Sequence, residues 1–376
     1  MKTTTLLLSL CFLLAFPSCK KQESLSESAT FSDSLHYAEG FRIEPHPGYI
    51  LVTVQNPWNK TAGWQRYVLV PKTTELPAKL PEGILIRTPL QRTVSYGAVP
   101  CTFFAELNVL QTLAGVCEPQ YINLAEVQEG VNQGRIANLG TAANPNQEKI
   151  RSIDPEAIFA SPLQNTGDPS AQSGIPWVAC MDYMEATPLG RAEWIRFYGV
   201  FFEKEQLADS LFALTAKNYT DLKKRSESVD YHPTVFAETI YSGVWYMPGG
   251  NSYAAHLFRD AGADYLWKND SNTGSISLSF ESVLDKAEKA DYWLIKYNSR
   301  QELTYTALAL EYANYAFFDA FKQKRIYACN TGKTPYYEEL PIHPERVLKD
   351  LIGIFHPELT PGDSLRYYQP LKQYSP

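Results

Sequence analysis

The sequence predicts an α/β protein of two lobes separated by a long helical stretch, preceded by a β-rich segment and an export signal. Three observations carry this. Strand and helix patterns alternate from residue 92 to 187, an apolar repeat of helical period runs from 188 to 228, and strand–helix alternation resumes from 229 to 376.

The first eighteen residues read as a signal peptide. Met1-Lys2 supplies a positive charge, and Leu6 to Phe16 is apolar apart from Ser9, too short to span a bilayer. Ala15-Phe16-Pro17-Ser18-Cys19 resembles a bacterial lipobox, so cleavage before Cys19 would leave a lipidated N-terminus; ordinary secretion with a mature cysteine is the alternative. Residues 19–40 are then the lipidated tether, rich in Ser, Glu and Lys over 20–34. No later stretch reaches 18 apolar residues.

Residues 41–91 form the β-rich extension. Tyr49–Val54 and Arg66–Val70 are β-branched and aromatic runs around a turn segment containing Asn56-Pro57 and Gly63, which predicts a hairpin with a long turn. Ile84-Leu85-Ile86 adds a third short strand after a proline-punctuated connector.

The first lobe, 92–187, opens with a strand at Arg92–Ser95, followed by a helix over Thr102–Leu113. A strand at Arg135–Leu139, a short helix over Gln147–Ile153, and strands at Ala157–Ala160 and Trp177–Cys180 complete a parallel sheet. Residues 188–228 carry apolar side chains at helical spacing, with Leu207, Leu211, Leu214, Tyr219 and Leu222 in the second half. That pattern suits one more core helix or a rigid spine between two units. In the second lobe, 229–376, strands are expected at Thr234–Ala237, Tyr292–Lys296 and Arg325–Ala328. Helices are expected over Ser252–Gly262, Leu303–Asp319 and His343–His356.

Composition and charge narrow the function. Of 376 residues, 34 are basic and 41 acidic, a net charge of −7 that argues against broad nucleic-acid binding. Aromatic residues reach 13%, led by 24 tyrosines, which suit surfaces apolar on one side and wet on the other. Cys101, Cys117, Cys180 and Cys329 contain no CxxC pair and no zinc-ligand spacing; a Cys101–Cys117 bridge and buried thiols are both allowed. The six histidines are dispersed, and HExxH, GxSxG and Walker A patterns are absent, so a binder is expected over an exported enzyme.

One pattern recurs. Glu148 and Glu281 each sit in the first turn of a short helix after a glycine-containing turn, and each helix leads to an acidic residue before an apolar strand. Glu at a helix N-terminus is favourable with the helix dipole, which explains either residue alone. The pair suggests two related lobes.

Four segments together resemble the ABC-importer substrate-binding proteins of the helical-backbone class, which serve uptake of iron–siderophore complexes, haem and vitamin B12. These are Asn138–Ala160, Pro188–Trp194, Pro248–Ala263 with Ser277–Glu281, and Arg325–Ala328 with His343–Glu358. The resemblance implies two Rossmann-like α/β lobes joined by a single long interlobe helix, with a ligand cleft between them. It implies a monomer, lipid-anchored on the periplasmic side of the membrane, with no resident cofactor and no metal site of its own. The ligand would be an iron chelate, or alternatively a corrinoid or haem. The partners would be an ABC permease and its ATPase, with Glu148 and Glu281 docking on the permease. Candidate ligand contacts at strand ends are Tyr96, Trp177, Tyr183 and Glu185 in the first lobe. In the second they are Trp245, Tyr246, Asn251, Tyr253, Tyr297 and Asn298, with Tyr241 a weaker choice. An exported enzyme on a similar scaffold and a surface interaction lipoprotein with an empty cleft are the competing readings.

Overall fold

Alternation of apolar and polar residues builds the N-terminal sheet. The computed structural model describes residues 35–56, 63–162 and 174–374; the signal peptide and Cys19 lie outside them. Strands β1 (Phe41–His46), β2 (Tyr49–Gln55) and β3 (Gly63–Pro71) form an antiparallel meander, and β4 (Ile84–Thr88) adds parallel to β3. In β1, Phe41 and Ile43 are buried while Arg42 and Glu44 are exposed, the period-2 signature of a sheet with one covered face. The buried face joins the first lobe's core. Phe41 packs edge-on against Trp194 at 4.9 Å, and the Tyr67 hydroxyl accepts from the Ala179 amide at 2.8 Å. The extension is therefore a wall of the first lobe.

The first lobe runs β5 (Thr93–Ser95), α1 (Ala98–Glu106), β6 (Leu113–Val116), α2 (Ala125–Asn132), β7 (Ala137–Asn138), a small hairpin β8 (Gly140–Thr141) and β9 (Asn144–Pro145), α3 (Gln147–Ile153), β10 (Ala157–Ala160) and β11 (Trp177–Ala179). Its sheet is parallel, in the order β11-β10-β5-β6-β7. Every residue of β5, β10 and β11 is buried, as expected for strands covered on both faces. The helix expected over 102–113 ends early. Leu107 closes α1 and Asn108 takes a left-handed φ of 56°, so Leu113 starts a strand.

The stretch expected as a single helix over 188–228 is three: α4 (Pro188–Ala192), α5 (Trp194–Val200) and α6 (Glu205–Ser226). The chain turns at Phe201–Lys204, where Glu203 has a left-handed φ of 53°. Gly199 allows the close return, since a Cβ there would lie 2.8 Å from that of Ala208 on α6. The 22 residues of α6 span about 33 Å and serve both lobes. Ala208 and Phe212 belong to the first core, whereas Tyr219 belongs to the second and donates to the buried Asp260 at 2.8 Å.

The second lobe contains β12 (Thr234–Ala237), β13 (Ile240–Tyr241), β14 (Val244–Pro248), α7 (Tyr253–Asp260), β15 (Asp264–Tyr265), β16 (Ser275–Leu278), α8 (Phe280–Ala287), β17 (Tyr292–Tyr297), α9 (Tyr305–Glu311), α10 (Asp319–Lys322), β18 (Ile326–Asn330), α11 (Tyr336–Glu339), α12 (Pro344–Phe355) and β19 (Gln369–Pro370). Strands β15-β12-β17-β18 are parallel, with β19 antiparallel at the edge. A second sheet, β13-β14-β16, is antiparallel. Its hairpin turns at Ser242 and Gly243, both with positive φ (49° and 82°), the backbone that suits the twist of a two-residue turn. The expected 303–319 helix is interrupted because Tyr312 is extended and lays its ring on Phe280 at 4.8 Å.

Candidate functional site

The parallel strands of both lobes direct their C-terminal ends toward one groove, where sheet-based folds hold ligands. From the first lobe come Ala98 and Val99 at the start of α1, and Gln120, Tyr121 and Asn123 beyond β6. From the second come Asn298 and Arg300 after β17, and Lys333 and Tyr337 after β18. They enclose about 560 Å³. A second space of about 700 Å³ shares Asn298, Thr331 and Tyr337 with the first and continues over the second lobe. Its walls carry Tyr241, Tyr246, Tyr253 and Tyr297, together with Glu238 and Lys296.

The floor is held by Asn330, the last residue of β18. Its side chain donates to the Ser299 carbonyl at 2.8 Å and accepts from the Gly332 amide at 3.1 Å. This ties the Arg300 loop to the Lys333 loop. A Cβ at Gly332 would come within 2.4 Å of Asn298 Oδ1, so a larger residue there would push that groove side chain aside.

Two polar clasps join the lobes. The buried Glu338 carboxylate accepts from the backbone and side-chain nitrogens of Asn123 at 2.6 and 2.9 Å. His343 lies 2.9 Å from Glu106 of the first lobe and 3.1 Å from Glu345. Burial alone would depress the His343 pKa, but the two carboxylates outweigh it and raise it to about 9, so the ring is charged and donates from both nitrogens.

The cations of the groove are not balanced. Arg300 and Lys333 are exposed and make no ion pair among the described residues, while the nearby Glu338 is committed to Asn123. Lys296 is paired with Glu238. Burial holds the Tyr253 and Tyr337 hydroxyls above their ordinary pKa, leaving both as neutral phenols.

Tyr241, Tyr246, Tyr253, Tyr297 and Asn298 are thus brought together by the structure. Tyr246 is 45% and Tyr241 73% exposed, while Tyr253 donates to the Leu340 carbonyl at 3.1 Å under the Arg191 guanidinium. Others are corrected. Trp245 is fully buried among Phe236, Trp293, Tyr315 and Phe318, its indole N–H satisfied by the Ala237 carbonyl at 2.9 Å. Trp177 is buried at the start of β11, the end opposite the groove, and Tyr96 is buried in the first core. Tyr183 packs half-buried against the first core, its hydroxyl 3.5 Å from the Met181 sulfur, and Asn251 is exposed; neither lines the two spaces.

Glu185 has a structural task. Its buried carboxylate accepts from the Gly40 amide at 2.8 Å and the Trp194 indole at 3.0 Å. Glu193, also buried, accepts from the amides of His36, Tyr37 and Ala38, so the two acids fasten the start of the fold to α4 and α5.

Arg300, Lys333, Lys296, Gln120, Tyr121 and Tyr337 were not singled out by the sequence. The signal was there: Arg300 and Lys333 each lie three residues beyond a parallel strand. Glu148 and Glu281 are exposed in the first turns of α3 and α8, capped by Asn146 and Ser279, and neither forms an ion pair among the described residues. The four cysteines within the described residues are free and buried, so no Cys101–Cys117 bridge forms. No described helix is long and apolar enough to cross a membrane, and no three His, Cys, Asp or Glu among the described residues are placed to hold a metal.

The sequence profile of the periplasmic binding protein family matches residues 102–331, which takes in α6 and most of both lobes. The chain belongs to the periplasmic binding protein family. A relative in sequence is an uncharacterised lipoprotein, MJ0878, of Methanocaldococcus jannaschii, 26% identical over 81% of this chain and 75% of its own length. Among solved structures, a possible iron-binding (periplasmic solute-binding) protein from Staphylococcus epidermidis superposes with a TM-score of 0.57 at 16% identity, covering 72% of this chain and all of that one. The apo haem-binding protein RhuT from Roseiflexus superposes with a TM-score of 0.54 at 18% identity, covering 72% of this chain and 99% of that one. These likenesses establish the two-lobed fold of a periplasmic binding protein for this chain.

Proposed function

We propose that the protein captures a ferric-siderophore-type complex in the interlobe groove and delivers it to an ABC permease. The observation that carries this reading is the groove itself, which lies at the strand ends of both lobes of a periplasmic binding protein and combines tyrosines with two cations, Arg300 and Lys333, that form no ion pair among the described residues. Its two connected spaces, about 560 and 700 Å³, suit a bulky chelate. Arg300 and Lys333 would meet anionic ligand oxygens, and the tyrosines would supply flat contacts and neutral O–H donors. The Staphylococcus protein of the same fold is a possible iron-binding protein, which favours the same class.

A second reading, haem or cobalamin, draws on the tyrosine wall, since a planar macrocycle stacks on aromatic faces, and the Roseiflexus protein is a haem binder. In either case cleavage before Cys19 would tether the protein to the membrane, and Glu148 and Glu281 would engage basic pockets of the permease. A ligand panel decides: ferric siderophores, haem and cobalamin are titrated while the melting temperature and tryptophan fluorescence are followed. A rise in melting temperature with a ferric siderophore is expected; a rise with haem or cobalamin alone selects the second reading, and no response to any of them overturns both.

A further inference from the structure

The ion pair in the groove wall has features that a purely structural pair does not need. Lys296 and Glu238 stand at the ends of neighbouring strands, 17% and 22% exposed at the side chain, and both line the larger space. A buried pair is weak as a stabilising device, since apolar residues of similar volume often do as well. Glu238 also holds a left-handed φ of 65°, an uncommon conformation for a residue with a side chain and one that clusters at functional sites. Its backbone is fixed on both sides: its amide donates to the Leu294 carbonyl at 2.9 Å, and its carbonyl accepts from the Trp293 indole at 2.7 Å. The carboxylate is therefore the one part of Glu238 free to move. Lys296 is confined by Tyr336 and Tyr337, and no other acidic residue lines this space.

We infer that Glu238 is an exchangeable internal counter-ion, which an anionic group of the ligand displaces from Lys296. This rests on the reading of the groove as the ligand site. Bound ligand and Glu238 compete for one ammonium. A ligand anion that reaches Lys296 keeps the ammonium paired while the Glu238 carboxylate rotates toward water, so the displaced charge is solvated rather than buried. A neutral chelate cannot make this exchange and meets a groove already neutralised at that point. Glu238 and Lys296 therefore set selectivity for anionic over neutral complexes. Burial alone would lower the Lys296 pKa, but the Glu238 carboxylate holds it above its ordinary value, so the ammonium of the resting pair is charged at physiological pH.

The test uses the full chain in detergent and two ferric complexes, a tris-catecholate of net charge −3 and a neutral tris-hydroxamate, titrated by tryptophan quenching. The ratio of anionic to neutral affinity is expected to rise about tenfold in Glu238→Gln and to fall about tenfold in Lys296→Met. Because Lys296→Met leaves a carboxylate that itself repels an anion, the double variant Glu238→Gln/Lys296→Met removes both charges and should show a ratio below the wild type's but above that of Lys296→Met. A ratio unchanged in all three variants, or lowered in Glu238→Gln, overturns the exchange. Binding of the tris-hydroxamate alone overturns it too and leaves the proposed function standing, whereas binding of neither complex by any form overturns the chelate reading as well.

Discussion

The first lobe offers the groove Ala98, Val99, Gln120, Tyr121 and Asn123, whereas the second offers Arg300, Lys333, Lys296 and a run of tyrosines. The same α/β plan is used twice and loaded differently. Most aromatic residues of the first lobe, such as Phe103, Phe159 and Tyr198, stack on each other inside its core. In the second lobe Trp245, Trp293 and Phe318 do the same work, while Tyr241, Tyr246, Tyr253 and Tyr297 remain for the groove. The contrast shows that the charged and aromatic groups of the groove are concentrated on one lobe. The other contributes a mostly neutral wall and the groups that clasp the two together, Asn123 and Glu106.

The largest effect expected separates core from groove within the second lobe. Trp245→Ala should destabilise the protein by about 4 kcal/mol, the cost of a large cavity in a packed core. Tyr246→Ala, one residue on, should cost under about 1 kcal/mol and weaken ligand binding instead. Chemical denaturation with parallel titration checks both. A Trp245 variant that stays stable and loses ligand would restore Trp245 to the site. Next in size is Arg300→Gln/Lys333→Gln, expected to lower affinity for an anionic complex about 30-fold and to flatten its salt dependence. Gln120→Ala in the facing wall should lower it about threefold or less, and equal losses would end the idea of one dominant lobe.

Much of the second lobe was legible in the sequence because its strands are bounded apolar runs. Val235–Ala237, Trp293–Ile295 and the amphipathic Pro344–Phe355 follow their periods closely. The groove was legible where tyrosines sit near those strands, as with the half-buried Tyr253 and Tyr297. The tryptophans were misplaced for a local reason. Residues 244–248 are a strand, so period-2 alternation sends Trp245 inward and Tyr246 outward, and no strand was expected there. Trp177 fails because only one end of a parallel strand faces the groove. The break between α5 and α6 depends on the contact of Gly199 with Ala208, a consequence of packing that apolar spacing along one chain does not contain.

A pH titration tests the clasp side of the comparison. The folded His343 pKa, about 9, exceeds the unfolded value of about 6.5. Its contribution is therefore fully present below pH 6.5 and is lost as pH rises through 9, a loss on the order of 3 kcal/mol. Glu106, whose pKa is lowered by the hydrogen bond from His343, gives the opposite limb, lost as pH falls through its depressed value. Denaturation midpoints between pH 6 and 10 should fall in the wild type and stay nearly level in His343→Gln. A wild-type profile as flat as the variant's would remove His343 from the clasp.

The smallest change in the isolated protein is expected from the two exposed acids, which also ask whether the lobes are equal anywhere. Glu148 and Glu281 occupy matching first turns, free of ion pairs among the described residues, so replacing either by Ala removes only a favourable helix-dipole term. Stability should move by less than about 0.5 kcal/mol. Transport through a reconstituted permease is where the loss should appear. A carboxylate that enters a basic pocket leaves that pocket's cation unpaired when it is removed, a penalty much larger than that of an exposed pair. If docking reads both lobes, Glu148→Ala and Glu281→Ala should each reduce transport about tenfold, and the double variant should reduce it further. A loss confined to Glu281→Ala would extend the dominance of the second lobe from ligand to permease, and transport unchanged in the double variant would remove both acids from docking.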